Sequence, residues 1–143
     1  MLLMKELWTK DEASFSGKHI QLEKSRAWPK PIQKPHPPVV MGGAVGPKTA
    51  AHIAEFCDGW LPLGAHDLDS GLEQIKVACE RIGRDPQDIE LSMFYARTGP
   101  GSGDSNDISA HIDKGARRVV LPLPSEGADT VLPMLDNYAK LMR

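Results

Sequence analysis

Residues 37–63 read Pro-Pro-Val-Val-Met-Gly-Gly-Ala-Val-Gly-Pro-Lys-Thr-Ala-Ala-His-Ile-Ala-Glu-Phe-Cys-Asp-Gly-Trp-Leu-Pro-Leu. A short apolar run ends in glycines, a helix pattern starts at once, and a second apolar run follows. Strand, tight turn, helix and strand in that order make the βαβ unit of parallel sheets. Gly42 and Gly43 let the backbone turn through positive φ and let another group come close. Pro47 suits the first turn of a helix, where a missing N–H costs nothing. The N–H groups of Lys48, Thr49 and Ala50 are then expected to point out of the helix start, where a phosphate binds well. The same residues also fit a plain strand-to-helix turn punctuated by Gly and Pro, and the pattern leaves both readings open.

The rest of the chain repeats the alternation. Met1 to Lys10 reads as the tail of a helix, with Leu3/Leu7 and Met4/Trp8 at i,i+4 spacing. Its abrupt start suits a helix whose beginning has been cut away. Residues 11–38 are polar and proline-rich and read as a long irregular excursion, with a short extended piece at His19-Ile20-Gln21-Leu22. His36, between prolines, reads as a solvated loop residue.

From residue 39 onward four strands alternate with helices: Val39–Met41, Asp58–Leu63, Ile89–Tyr95 and Arg118–Leu123. The first helix runs from Pro47 to about Phe56. Asp67 or Asp69 caps the second, whose stripe Leu68, Leu72, Ile75, Cys79, Ile82 is the cleanest helical periodicity in the chain. Gly83 stops it and Arg84-Asp85-Pro86 turns the chain out. Asp107 caps a short helix through Ile112 that Gly115 ends. Asp129 or Thr130 opens the last one, with Val131, Leu135, Tyr138 and Met142 on its inner face and Pro133 tolerable only near its start. The glycine run Gly99–Gly103 adjoins no strong helix start and reads as a loop. The fold class is therefore α/β with parallel strands, either an open doubly wound sheet or part of a barrel. In both, a site forms at the carboxyl ends of the strands.

Several motifs resemble the luciferase-like monooxygenase superfamily: Leu7-Trp8 with Phe15-x-Gly17, the proline-rich residues 29–38, Gly42-Gly43, Gly46-Pro47-Lys48-Thr49, Asp58-Gly59-Trp60 and Gly83-Arg84-Asp85-Pro86. Within it the chain looks most like the branch that uses the deazaflavin coenzyme F420 rather than FMN. The resemblance implies the last four β/α units of a TIM (β/α)8 barrel, with residues 1–10 ending the preceding helix. It also implies that Gly42, Gly43, Gly46, Pro47, Lys48, Thr49 and Ala50 hold the phosphate tail of F420, or of FMN as the alternative. Here both Ala44 and Val45 stand between the glycine pair and Gly46-Pro47, where family members often have one residue. The ring's surroundings and the acid–base partners come in the family largely from the first half of the barrel.

Composition narrows the remaining classes. A net charge of −2 gives no basic footprint for nucleic acid or an anionic membrane surface. No apolar run approaches the roughly 20 residues of a membrane span. Cys57 and Cys79 have no metal or redox spacing and fall in helical patterns, which suits buried free thiols in a reducing cytoplasm. No paired carboxylates, Ser/His/Asp set or metal constellation is apparent, so no catalytic residue is assigned; the resemblance implies a small-molecule substrate as partner. Trp60, His66, Tyr95 and Arg97 stand at or just past strand ends and are the candidates for its side of the site, each with packing or a solvated loop as the alternative. Half a barrel leaves two sheet edges unpaired. A homodimer, or pairing with a missing N-terminal half, is therefore expected. A half-barrel module that binds or assembles without catalysing is the competing class.

Overall fold

The computed structural model describes residues 1–62, 68–94 and 112–140, and the chain divides into two compact units, Met1–Val39 and Val40–Arg143. In the first, α1 (Leu2–Thr9) is followed by β1 (Ala13–Ser16) and β2 (Gln21–Ser25). The last carbonyls of α1 meet a cation: the Lys30 ammonium donates to the carbonyl of Leu7 at 2.7 Å and to that of Lys10. Such a contact both satisfies orphan acceptors and suits the helix dipole.

β1 and β2 pair antiparallel with Phe15 opposite Leu22, and the Gly17 N–H donates to the Ile20 carbonyl across the turn. The Phe15 ring covers Gly17, where a Cβ would come within 2.6 Å of Cε1. Residues 11–38 therefore contain a hairpin and are not irregular throughout. Its pattern is hidden because Leu22 is the single apolar residue of β2. His36 is half-buried rather than solvated, its ring 6.0 Å from that of Trp8.

In the second unit β3 (Val40–Gly42), β4 (Gly59–Leu61), β5 (Glu90–Phe94) and β6 (Ala116–Val120) form a parallel sheet in that order. The strands lie side by side in the order of the chain, with no point where the order reverses. A doubly wound sheet requires such a reversal. Right-handed crossovers in an unreversed order put every connecting helix on one face, as in an arc of a (β/α)8 barrel. The sheet therefore decides between the two architectures that periodicity left open.

The connecting helices are α2 (Pro47–Phe56) and α3 (Leu68–Arg81), which pack together, and α4 (Ala128–Lys140) follows β6. Ala50, Ile53 and Ala54 of α2 are buried, as are Gly71, Ile75 and Cys79 of α3. Ile82 departs from the expected stripe and is 58% exposed, because the helix has ended before it. The stop is a Schellman arrangement. Gly83 has φ +72, its N–H donates to the Glu80 carbonyl, and the Arg84 N–H donates to the Cys79 carbonyl. Asp85 then accepts from the Gln87 N–H and opens the 3-10 turn Pro86–Asp88.

Arg84 also binds across to the neighbouring helix. Its guanidinium donates to the Ala54 carbonyl at 2.8 Å and the Ile53 carbonyl at 3.4 Å, in the last turn of α2. Hydrogen bonds made by a charged group contribute about 1.5–3 kcal/mol. Arg84→Met is accordingly expected to lower stability in urea by an amount in that range, and an unchanged midpoint would count against the contact.

β6 begins two residues earlier than its apolar run suggests. Gly115, at φ +89, closes the turn before it through its N–H to the Ile112 carbonyl, and pairing starts directly at Ala116. The strand ends at Val120, ahead of Pro122, which has no N–H for a ladder. In α4, Gly127 accepts from the N–H groups of Thr130 and Val131, and the helix continues through Pro133 to Lys140. No α4 residue is buried, and Leu135, expected inward, is 42% exposed. Asp67, Met142, the glycine run 99–103 and most of the helix expected before Gly115 lie outside the described residues. No described helix is long and apolar enough to cross a membrane.

Cys57 and Cys79 are fully buried and not joined in a disulfide. Burial pushes the Cys79 thiol above its ordinary value, against the opposing pull of Arg84. Both are expected to resist a thiol reagent until the chain unfolds, then react together. Rapid labelling of the folded chain would contradict this packing.

Candidate functional site

The face of the sheet under the helices is fixed by Trp60. It pairs in register with Met41 on one side and Leu91 on the other, and Leu91 in turn pairs with Ala116. Paired residues of a parallel ladder share a face, and side chains alternate along each strand. Trp60 lies against Gly71 of α3, so this row faces the helices. Val40, Gly59 and Glu90 occupy the opposite face. A register shift after Leu91 aligns Ser92 with Arg118, and the Arg118 guanidinium stands 3.3 Å from the Glu90 carboxylate. The Ser92 hydroxyl is buried with no hydrogen-bond partner among the described residues.

At the carboxyl end of β3 the chain makes its turn toward α2. Gly43 has φ +118, a conformation that side chains with a Cβ rarely adopt. Both of its polar groups are held by β4: its N–H donates to the Leu61 carbonyl at 3.0 Å, and its carbonyl accepts from the Trp60 indole at 2.8 Å. Gly46 caps α2 with φ −132 and ψ 178, ordinary extended backbone, and among the described residues a Cβ added there would meet nothing within 4 Å. Neither backbone strain nor packing against the described residues calls for a glycine at 46. What the absence of a side chain leaves there is open space beside a helix start.

The donors at that start are fewer than expected. The Ala50 N–H is used inside the helix, donating to the Gly46 carbonyl at 2.9 Å. Ala50 itself is 2% exposed and packs inward. Pro47 has no N–H, so Lys48 and Thr49 supply the outward donors. No side chain caps them, and the first turn of α2 contains no acidic residue. The positive end of the helix dipole is therefore left uncompensated within the helix, with the Lys48 side chain exposed beside it. Gly42 is the last residue of β3, paired with Leu61. The stretch from Gly42 to Thr49 thus combines backbone donors, a cation and room for a bulky anion, which fits a phosphate group.

Of the expected substrate-side residues, Trp60 is corrected. It is 1% exposed and wedged between the sheet and α3, so no surface remains to touch a substrate. Its position at the end of a short strand gave the right height in the sheet but not the face. His66, Tyr95 and Arg97 lie outside the described residues. His52 stacks on Phe56 within α2, a packing role. Among the described residues no group of three or more His, Cys, Asp or Glu stands together as a metal site. A groove of about 430 Å³ runs between α2 and α3, lined by Ala51, Gln74, Val77, Ala78, Arg81 and Ile82 among others. Pro47, Ala50 and Ser70 also line it, so it reaches the starts of both helices, Pro47 being the first residue of α2.

Missing from the sequence reading was the part played by Gly71. Its signal is a glycine within the buried stripe of a helix, which costs about 1 kcal/mol relative to alanine unless a neighbour needs the space.

The family model for luciferase-like monooxygenases matches residues 1–97. The chain belongs to that family. Uncharacterized proteins of Mycobacterium tuberculosis and Mycobacterium bovis are each 30% identical over 139 residues, covering 95% of this chain and 46% of their own length. The F420-dependent hydroxymycolic acid dehydrogenase of M. tuberculosis is 26% identical over 88 residues, or 60% of this chain and 23% of that protein. Among solved structures, an F420-dependent secondary alcohol dehydrogenase in complex with an F420-acetone adduct superposes with a TM-score of 0.52 at 23% identity. That match covers 64% of this chain and 28% of the other. The chain thus spans about half the length of the curated relatives that match almost all of it. For this luciferase-like chain, the superposition supports the same fold: four parallel strands in chain order as part of a TIM-type barrel.

Proposed function

We propose that this chain supplies the part of a deazaflavin-dependent oxidoreductase that grips the phosphate tail of coenzyme F420. The observation that carries this is the start of α2, where Gly46 as N-cap offers no side-chain cap, the first turn contains no acidic residue, and a Cβ at 46 would meet no described atom within 4 Å. The names of two relatives as F420-dependent dehydrogenases favour the deazaflavin over FMN.

When bound, the coenzyme's ring supplies hydride transfer to or from a small-molecule substrate. The Lys48 and Thr49 N–H groups bind the tail, Lys48 adds charge, and Gly43 fixes the turn that aims them. The ring's surroundings and an acid or base belong to further β/α units, from a second copy or from the first half of the barrel. The inner face fits that assignment, because its exposed Val40 and its Glu90–Arg118 pair suit an opposing layer.

The test is an NMR titration that follows the Lys48 and Thr49 amides against F420, the same deazaflavin without its phosphate tail, and FMN. Shifts with F420 and none with the tail-less compound are expected. No response to F420 would remove the proposal, and preferential binding of FMN would move it to a flavin-dependent monooxygenase.

A further inference from the structure

We infer that Trp60 is a positioning residue for the anion-binding turn, with Gly71 as the seat that sets its indole; this rests on the tail-binding reading of α2. The indole N–H reaches the Gly43 carbonyl at 2.8 Å, while the next residue of β4, Leu61, holds the Gly43 N–H at 3.0 Å. Adjacent strand residues thus grip both polar groups of one glycine, and that glycine carries the positive φ on which the turn depends. Three residues later the helix cap begins.

The carbonyl's engagement matters electrostatically. A free carbonyl in a glycine turn can swing, and turned toward a bound phosphate it would present negative partial charge to an anion. Tied to an indole N–H, it is held out of that role, and the Lys48 and Thr49 donors face no local competitor.

The far end of the indole is fixed as tightly. A Cβ at Gly71 would lie 2.4 Å from Cη2 of Trp60 and 3.1 Å from both Cζ2 and Cζ3. The ring therefore rests directly on the α3 backbone, and Trp60 is 1% exposed with no slack elsewhere. A side chain at position 71 would push the indole off α3 and disturb its bond to Gly43. Through Trp60, a position inside α3 sets the geometry of a turn ahead of α2.

The decisive variant is Trp60→Phe, which keeps an aromatic ring in the core and removes both the donor and the far ring edge seated on Gly71. In the amide titration its apparent Kd for F420 is expected to rise about ten-fold, the equivalent of about 1.4 kcal/mol. The Lys48 and Thr49 amides should remain those of a folded chain. An affinity equal to that of the unsubstituted chain would overturn the positioning role while leaving the tail site intact. If the unsubstituted chain does not distinguish F420 from the tail-less deazaflavin, the tail-binding reading itself fails. Hydrogen exchange needs no variant: the Trp60 indole proton and the Gly43 amide proton should both exchange slowly in the unsubstituted chain. Rapid exchange of the indole proton would also overturn the inference, even if Trp60→Phe does not fold.

Discussion

Trp60→Ala is expected to remove about 3–5 kcal/mol of stability, the range for truncating a buried Phe or Trp. Trp60 is the largest fully buried side chain among the described residues, ahead of Ile53, Cys57 and Cys79. Domains of ordinary stability have about 5–15 kcal/mol in total, so this one change should bring the chain near its unfolding threshold. The cavity left would open against Gly71, the point where α3 has no side chain. A leucine placed there should refill part of it. Gly71→Leu alone should destabilise, because its Cβ would start 2.4 Å from the indole, yet combined with Trp60→Ala it should recover part of the loss. Urea unfolding of the single and double variants measures this coupling. Additive losses would mean that Trp60 and Gly71 do not share one space.

The second large effect is on binding. Gly46→Val is expected to weaken F420 binding by about 10- to 100-fold, the equivalent of losing one or two charge-assisted hydrogen bonds. Its stability should fall by no more than about 1 kcal/mol, the usual cost of a poor N-cap residue. The backbone at 46 is already extended and the added Cβ meets no described atom within 4 Å. Gly43→Ala gives the contrast. Space is open there too, but φ is +118, so this variant should lose stability through backbone strain. Unchanged F420 affinity in Gly46→Val would show that no ligand approaches that turn.

The regular elements were legible because their causes are local. Gly46 and Pro47 define where α2 starts, and the structure begins that helix at Pro47 and ends it at Phe56, as its pattern predicts. Gly83 halts the second helix through a conformation that glycine adopts readily, and β3, β4 and β5 fall in apolar runs between such signals. The hairpin of β1 and β2 escaped because its stability lies in cross-strand pairing and a Phe15–Gly17 contact, which leave little mark on polar strands. In α4 the spacing of Val131, Leu135 and Tyr138 gives a face without saying what covers it, and here Leu135 remains exposed.

Within the site the same division holds. The glycines, Pro47 and Lys48 were visible because a turn and a helix start need those residue types, and the motifs of the luciferase-like family added the coenzyme. Local spacing could not reveal that the Ala50 amide is already used by the Gly46 carbonyl, nor which face of β4 presents Trp60. The sequence by itself determined the alternation of strand and helix, through signals spanning a few residues each. Only the tertiary structure decided that the strands follow chain order as an arc, and that Trp60 joins Gly71 to Gly43. Those outcomes depend on contacts between distant segments, whose energies appear only when the layers meet.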